Sequence, residues 1–159
     1  MKKTYSANDN LRNLAQNLNF KVYVFDDPKN IGPEIKLREK SKYCEIDAVM
    51  LYDNIVCIVG INKGKSADLS KEIERFLEKL DKVSKVSDIE LKLETTKKRE
   101  KKIKQKLDNA SNMLKDINEH ICEYSKNYDL ILKKIFFCPN KQVEDEITVS
   151  YTHLTLPTN

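Results

Sequence analysis

Glycine is scarce in this chain, with three residues in 159, and tryptophan is absent. With only four prolines besides, the composition excludes collagen-like and low-complexity chains. Between Gly64 and Pro139 neither glycine nor proline occurs, so no breaker residue interrupts regular structure there. No apolar run is long enough to span a membrane, and the residues after Met1-Lys2-Lys3 are too polar for a signal-peptide core. The four cysteines, Cys44, Cys57, Cys122 and Cys138, form no CxxC pair, and there are two histidines, which argues against a zinc site. Free thiols of this kind point to a reducing, cytoplasmic setting. Lys and Arg outnumber Asp and Glu by 29 to 25, a surplus too small by itself to imply nucleic acid.

What is present is 40% hydrophobic and 34% charged, enough for one domain of modest core plus a solvated segment. The most informative stretch is Tyr43 to Lys65. Ile46, Ala48, Met50 and Tyr52 share one face of an expected strand, and Glu45, Asp47, Val49 and Leu51 the other. Asp53-Asn54 fits a two-residue turn, with Asn tolerating positive φ. The return run, Ile55 to Val59, is apolar throughout, as in a strand buried on both faces. Asp47 therefore lies among apolar residues, where a carboxylate needs a partner or a metal. A hydrogen-bonded structural acid and a site residue are both open at this position.

Before the hairpin, Leu11, Leu14, Ala15 and Leu18 recur at helical spacing within Ser6 to Asn19. Phe20 to Phe25 reads as a strand, and Glu34 to Lys42 as an edge strand or a loop. After the hairpin, Ser66 or Asp68 caps a helix whose face is Leu69, Ile73, Phe76, Leu80 and Val83. Ser87 with Glu90 reads as a capping box opening a further helix. From Ile103, the residues Leu107, Ala110, Leu114, Ile117, Ile121, Tyr124 and Tyr128 follow in alternating steps of four and three. A continuous helix from Asp88 to Lys126 would be about 58 Å long. The expectation is a coiled coil, between chains (a homo-oligomer through 103–128) or as a hairpin, against a helix packed within its own domain. Lys97, Lys98, Arg99, Lys101 and Lys102 crowd this region and could lie along phosphates or form a solvated face. Leu130 to Cys138 is the last expected strand.

The Tyr43 to Lys65 hairpin resembles the PD-(D/E)XK nuclease core, in which an Asp on one strand and an acid-x-Lys on the next bind Mg²⁺. The resemblance covers roughly residues 8–83 and 130–140. Glu45-Ile46-Asp47 carries its first half, while Gly60 and Asn62 occupy the positions of the acid and the lysine. It implies an α/β fold with a small mixed sheet, flanking helices and a long helical or coiled-coil insertion, restriction-endonuclease-like in outline. The core would be 1–86 with 129–146 and the insertion 87–128. Asp47, with Glu45, would hold Mg²⁺, and Lys63 or Lys65 would replace the missing lysine. The implied function is a divergent Mg²⁺-dependent nuclease-like domain acting on DNA, active or silent.

Two other readings stand beside it. One is a coiled-coil interaction protein with a structural α/β head. The other is a degenerate phosphate-binding loop at Val59 to Ser66, where Gly60 falls one place late for GxxxxGK[ST]. Finally, Val149 to Asn159 reads as translated sequencing-library adapter: GTC TCT TAT ACA CAT CTG ACG CTG CCG ACG encodes VSYTHLTLPT. The natural frame is expected to break near Thr148, leaving the core truncated at its C-terminal side.

Overall fold

The computed structural model describes residues 7–25, 34–39, 42–62, 68–94 and 104–138. Helix α1 (Ala7–Asn17) is followed by β1 (Lys21–Val24), β2 (Glu34–Glu39), β3 (Lys42–Glu45), β4 (Ala48–Tyr52) and β5 (Ile55–Ile61). Then come α2 (Leu69–Lys79), a single 3₁₀ turn at Val86–Asp88, β6 (Glu90–Glu94), α3 (Lys104–Ser125) and β7 (Ile131–Phe137). The main sheet is four-stranded and mixed, in the order β1-β4-β5-β7, with β7 parallel to β5 and the other pairs antiparallel. A second, antiparallel sheet has three strands in the order β3-β2-β6.

The expected α/β architecture is present, and the uniformly apolar run becomes the inner strand β5, buried on both faces. One face carries Cys57, Val59 and Ile61 against Leu11 and Ala15 of α1. The other carries Val56 and Ile58 against Leu80, Val83, Ala110 and Ile117. Helix α1 ends where Asn19 turns to φ 62°, Asn19 N donating to Gln16 O (3.1 Å) and Phe20 N to Ala15 O (2.8 Å). That pair is a Schellman closure, and Asn is one of the residues that accepts the left-handed position it needs. Of the two caps expected, Ser66 or Asp68, it is Asp68 that caps α2, its carboxylate accepting from Lys71 N at 3.1 Å.

Four expectations need correction. The first concerns the long helical insertion. Residues 88–126 are not one helix: Val86–Asp88 is a 3₁₀ turn, Glu90–Glu94 is a strand, and α3 begins at Lys104. Glu-Leu-Lys-Leu-Glu alternates with a period of two, and its backbone pairs with that of β2, Leu91 opposite Leu37 and Leu93 opposite Ile35. The Ser87–Glu90 capping box is absent; the Asp88 carboxylate instead accepts from Ser84 N and Lys85 N, fixing the turn into β6. Those two bonds hold the Asp88 carboxyl below the usual aspartate range.

The second correction is that β2 is neither edge strand nor loop but the middle strand of the second sheet. The third is that the strand expected from Tyr43 to Tyr52 is broken at Ile46-Asp47, β3 joining one sheet and β4 the other. Ile46 therefore packs with Val49 and Leu51 rather than with Ala48 and Met50. The fourth is that the positive φ of the hairpin turn falls on Asp53 (48°), not on Asn54.

The heptad seam of α3 turns inward. Ala110 and Ile117 are buried in the chain's own core, with Met113, Leu114 and Ile121 packed beside them. This is the arrangement of a helix packed within its domain. Among the described residues no helix is long and apolar enough to cross a membrane.

None of the four cysteines is in a disulfide. Burial pushes the Cys57 thiol up to about 12, against a smaller opposing effect of Lys133. Cys122 is exposed, whereas Cys57 and Cys138 are buried. A thiol-disulfide reagent at neutral pH is expected to label Cys122 readily and Cys57 and Cys138 only in denaturant. Mass mapping of the labelled peptides checks this, and rapid native labelling of Cys57 would contradict the packing.

Candidate functional site

The C-terminal end of β5 collects the polar side chains. β4 starts at Ala48, opposite Val59, so the ladder stops short of the last residues of β5. The other edge of β5 continues along β7, where Asn62 N donates to Phe137 O at 2.8 Å. On the open edge the Asp47 side chain takes the place of a missing strand residue: its Oδ2 accepts from Ile61 N at 2.8 Å. The Asp47 carbonyl accepts from Phe25 N at 2.9 Å. One residue thus fastens the end of β1, the start of β4 and the end of β5. A carboxylate among apolar neighbours is stabilised here by a backbone donor, which a buried or half-buried acid requires.

Around Asp47 lies a cleft of about 250 Å³ at the carboxyl ends of the two parallel strands. Glu45 and Asp47 form one wall, and α2 supplies Glu72, Arg75 and Lys79 to the other. These three share a stripe at helical spacing, and Phe76 on the same stripe reaches Phe136 of β7, ring centroids 5.6 Å apart. Three carboxylates and two cations therefore line one small cleft.

The sequence places Asp47 and Glu45 together, and the structure does so as well. Lys63, Lys65 and the stretch Lys97, Lys98, Arg99, Lys101 and Lys102 lie outside the described residues. Sequence reasoning missed Arg75 and Lys79. Their signal is the step of three from Glu72 to Arg75 and of four to Lys79, alongside the apolar face of α2.

The Mg²⁺ set implied by the resemblance needs a second acid on β5, at position 60. Gly60 has none, and the space is taken. A Cβ there would lie 2.8 and 2.9 Å from Cδ2 and Cε2 of Phe76 and 3.0 Å from Cδ2 of Phe136. Among the described residues no three His, Cys, Asp or Glu groups come together to hold a metal. These residues do not fit the metal centre of that family.

A second polar cluster holds the opposite end of the hairpin. His120 Nε2 donates to Asp53 O at 2.8 Å, which places the ring proton on Nε2, and its ring stacks on Tyr124 at 4.6 Å. Asn54 Nδ2 donates to Asp129 O and Ile131 N to Asn54 O, both at 2.8 Å. The Tyr124 hydroxyl bonds to Asp53, and that bond with the aspartate's charge raises the phenol above the usual tyrosine range. A raised folded value means this contribution is complete below the ordinary tyrosine pKa and is lost as pH rises through the raised one. Tyr124→Phe is expected to reduce the dependence of the thermal midpoint on pH in that alkaline window and leave it unchanged at neutral pH. An unaltered alkaline slope would contradict the bond.

The chain matches no protein-family model, no curated protein and no solved structure.

Proposed function

We propose that the chain is a divergent nuclease-like α/β domain that no longer cleaves, retains Asp47 as a structural fastening, and engages DNA through Lys97, Lys98, Arg99, Lys101 and Lys102. The observation that carries the silent reading is the pair of phenyl rings over Gly60, which occupy the place of the second acid. The order helix, strand, hairpin, helix, strand in the main sheet, with the last strand beside the second hairpin strand, supports the restriction-endonuclease-like outline. Asp47 stands at the working end of that sheet, but its Oδ2 serves Ile61 N.

The test is a pair of measurements on duplex DNA. With Mg²⁺ present, cleavage is expected to be no greater for the wild type than for Asp47→Ala. Binding, followed by fluorescence anisotropy, is expected to weaken with salt. Replacing the five basic residues by glutamine should reduce the salt slope by up to about 4.5. Mg²⁺-dependent cleavage that vanishes in Asp47→Ala would restore the active-nuclease reading, and salt-insensitive binding would remove the DNA reading. The coiled-coil alternative requires the seam to meet a partner, whereas Ala110 and Ile117 pack on the chain's own sheet. An oligomer would have to use another surface, such as the one around exposed Tyr128.

Removing the fastening itself has a structural outcome. Asp47→Ala leaves Ile61 N without its acceptor, an expected loss of about 1–3 kcal/mol in urea unfolding. Asp47→Asn, which keeps an oxygen acceptor, is expected to lose less. Equal losses would show that an amide oxygen cannot stand in for the carboxylate as the acceptor of Ile61 N, and no loss in either variant would show that the fastening does not matter.

A further inference from the structure

Strand β7 ends the main sheet on one side, in the order β1-β4-β5-β7. Its bonds with β5 fix which way its backbone faces. Ile131 N donates to Asn54 O, and Phe137 O accepts from Asn62 N. The odd-numbered residues of β7 therefore turn both backbone groups towards β5. The even-numbered residues turn theirs outward, and among the described residues no strand pairs with Leu132 or Lys134 on that side. A seven-residue edge of this kind is a template for a further strand. It carries two adjacent half-buried cations, Lys133 and Lys134, which alternate between the faces of the sheet. The Lys134 ammonium donates to Leu80 O at 2.6 Å and has donors to spare. Leu132 and Phe136, on the same face as Lys134, pack on the core. The strand that fits this edge has acids at two consecutive positions and apolar residues to either side of them.

The chain's own sequence contains one. Residues 142–148, outside the described residues, read QVEDEIT, three acids between the β-branched Val143 and Ile147. Four residues, 138–141, separate them from β7, a common hairpin loop length, and Pro139 suits the second position of a type I turn. With Gln142 opposite Phe137, antiparallel pairing sets Asp145 opposite Lys134 and Glu146 opposite Lys133. The same register sets Ile147 opposite Leu132 and Val143 opposite Phe136, and leaves Glu144 alone against an apolar residue, Ile135. A slip of one residue puts Glu146 against Leu132 and Gln142 against Phe136, and a slip the other way puts Ile147 against Lys133 and Glu144 against Phe136. Other stretches outside the described residues match less well. Residues 1–6, 40–41, 63–67, 95–103 and 149–159 hold no two adjacent acids, and Asp26-Asp27 runs directly into Pro28.

We propose that residues 142–148 add to the outer edge of β7 as an antiparallel strand, with Asp145 and Glu146 meeting the Lys133-Lys134 pair. The added strand withholds that edge from other chains. The reading is independent of any action on DNA.

The test is NMR spectroscopy of the whole chain. Opposed residues that share no hydrogen bonds in an antiparallel pair bring their α-carbons to about 4.5 Å. A strong Hα–Hα Overhauser contact is therefore expected between Lys133 and Glu146. The Leu132 and Lys134 amides should exchange slowly with solvent. Asp145→Pro removes a ladder donor, and is expected to speed their exchange by about tenfold or more while leaving Ile131 and Ile135, which donate to β5, unchanged. Lys133→Glu should weaken the protection, and adding Glu146→Lys should restore it. Absence of the Hα contact overturns the proposal, as does rapid exchange of both amides in the wild type or exchange that Asp145→Pro leaves unaltered. Protection that falls on dilution overturns it too, assigning the edge to a second copy of the chain.

Discussion

Ile117→Ala is expected to lower the stability of the chain by about 2–5 kcal/mol. The side chain is completely buried, in a core cluster formed jointly by β4, β5, α2 and α3. Removing three methyl or methylene groups there forfeits their transfer free energy and leaves a void beside a cavity that is already large. Because the contact lies within one chain, the urea midpoint is expected to be the same at low and high protein concentration. In an interchain coiled coil the same substitution would give a midpoint that rises with concentration, by mass action. Tyr128→Ala, at an exposed position on the same heptad register, is expected to change stability by no more than about 0.5 kcal/mol. If the two substitutions cost the same, the seam does not pack on the sheet.

Gly60→Ala is expected to destabilise by about 1–3 kcal/mol, and Gly60→Glu by more. The added Cβ would press on Phe76 of α2, closer than carbon atoms tolerate, and tightly on Phe136 of β7, the neighbouring parallel strand. The glutamate adds a carboxylate beneath two aromatic rings. Shortening one ring should relieve the clash, so Gly60→Ala with Phe76→Leu is expected to lie closer to the single Phe76→Leu than additivity predicts. Thermal and urea unfolding of the four proteins measure the coupling. Strict additivity would mean that the rings do not cover position 60. The same pair asks whether an acid can be restored beside Asp47: Gly60→Glu with Phe76→Ala opens the required space, and any gain in Mg²⁺ affinity over Phe76→Ala alone would read out a latent metal site.

Elements with an unambiguous period were legible in the sequence. The helical spacing of Leu11 and Ala15, the apolar run of β5 and the closing strand β7 each carried a single interpretation. Glu90 to Glu94 did not, because Ile89 and Leu93 satisfy a heptad as readily as Leu91 and Leu93 satisfy a strand. The choice is made by β2, a tertiary partner more than fifty residues upstream: Leu37 pairs with Leu91, 54 positions later, and Lys36 with Lys92, 56 positions later. The break at Ile46-Asp47 was hidden for a similar reason. Apolar alternation runs on across the point where the chain leaves one sheet for the other.

At the candidate site the acid was legible and its surroundings were not. A lone Asp among strand residues announces itself, but its partner is a backbone N–H, which no side-chain pattern encodes. The obstruction at position 60 is equally silent in the sequence. It depends on a helix residue and a strand residue meeting over a glycine from both sides.

The parallel pairing of β5 with β7 has a consequence for synthesis. Ile55 and Ile131 are 76 residues apart, yet the ladder that starts with them closes the second edge of the inner strand. A ribosome delivers β5 long before β7, so the most hydrophobic segment of the chain waits with one unsatisfied edge while α2, β6 and α3 emerge. Nascent chains ending before Ile131 should therefore be the species that chaperones hold and that aggregate when expression is fast.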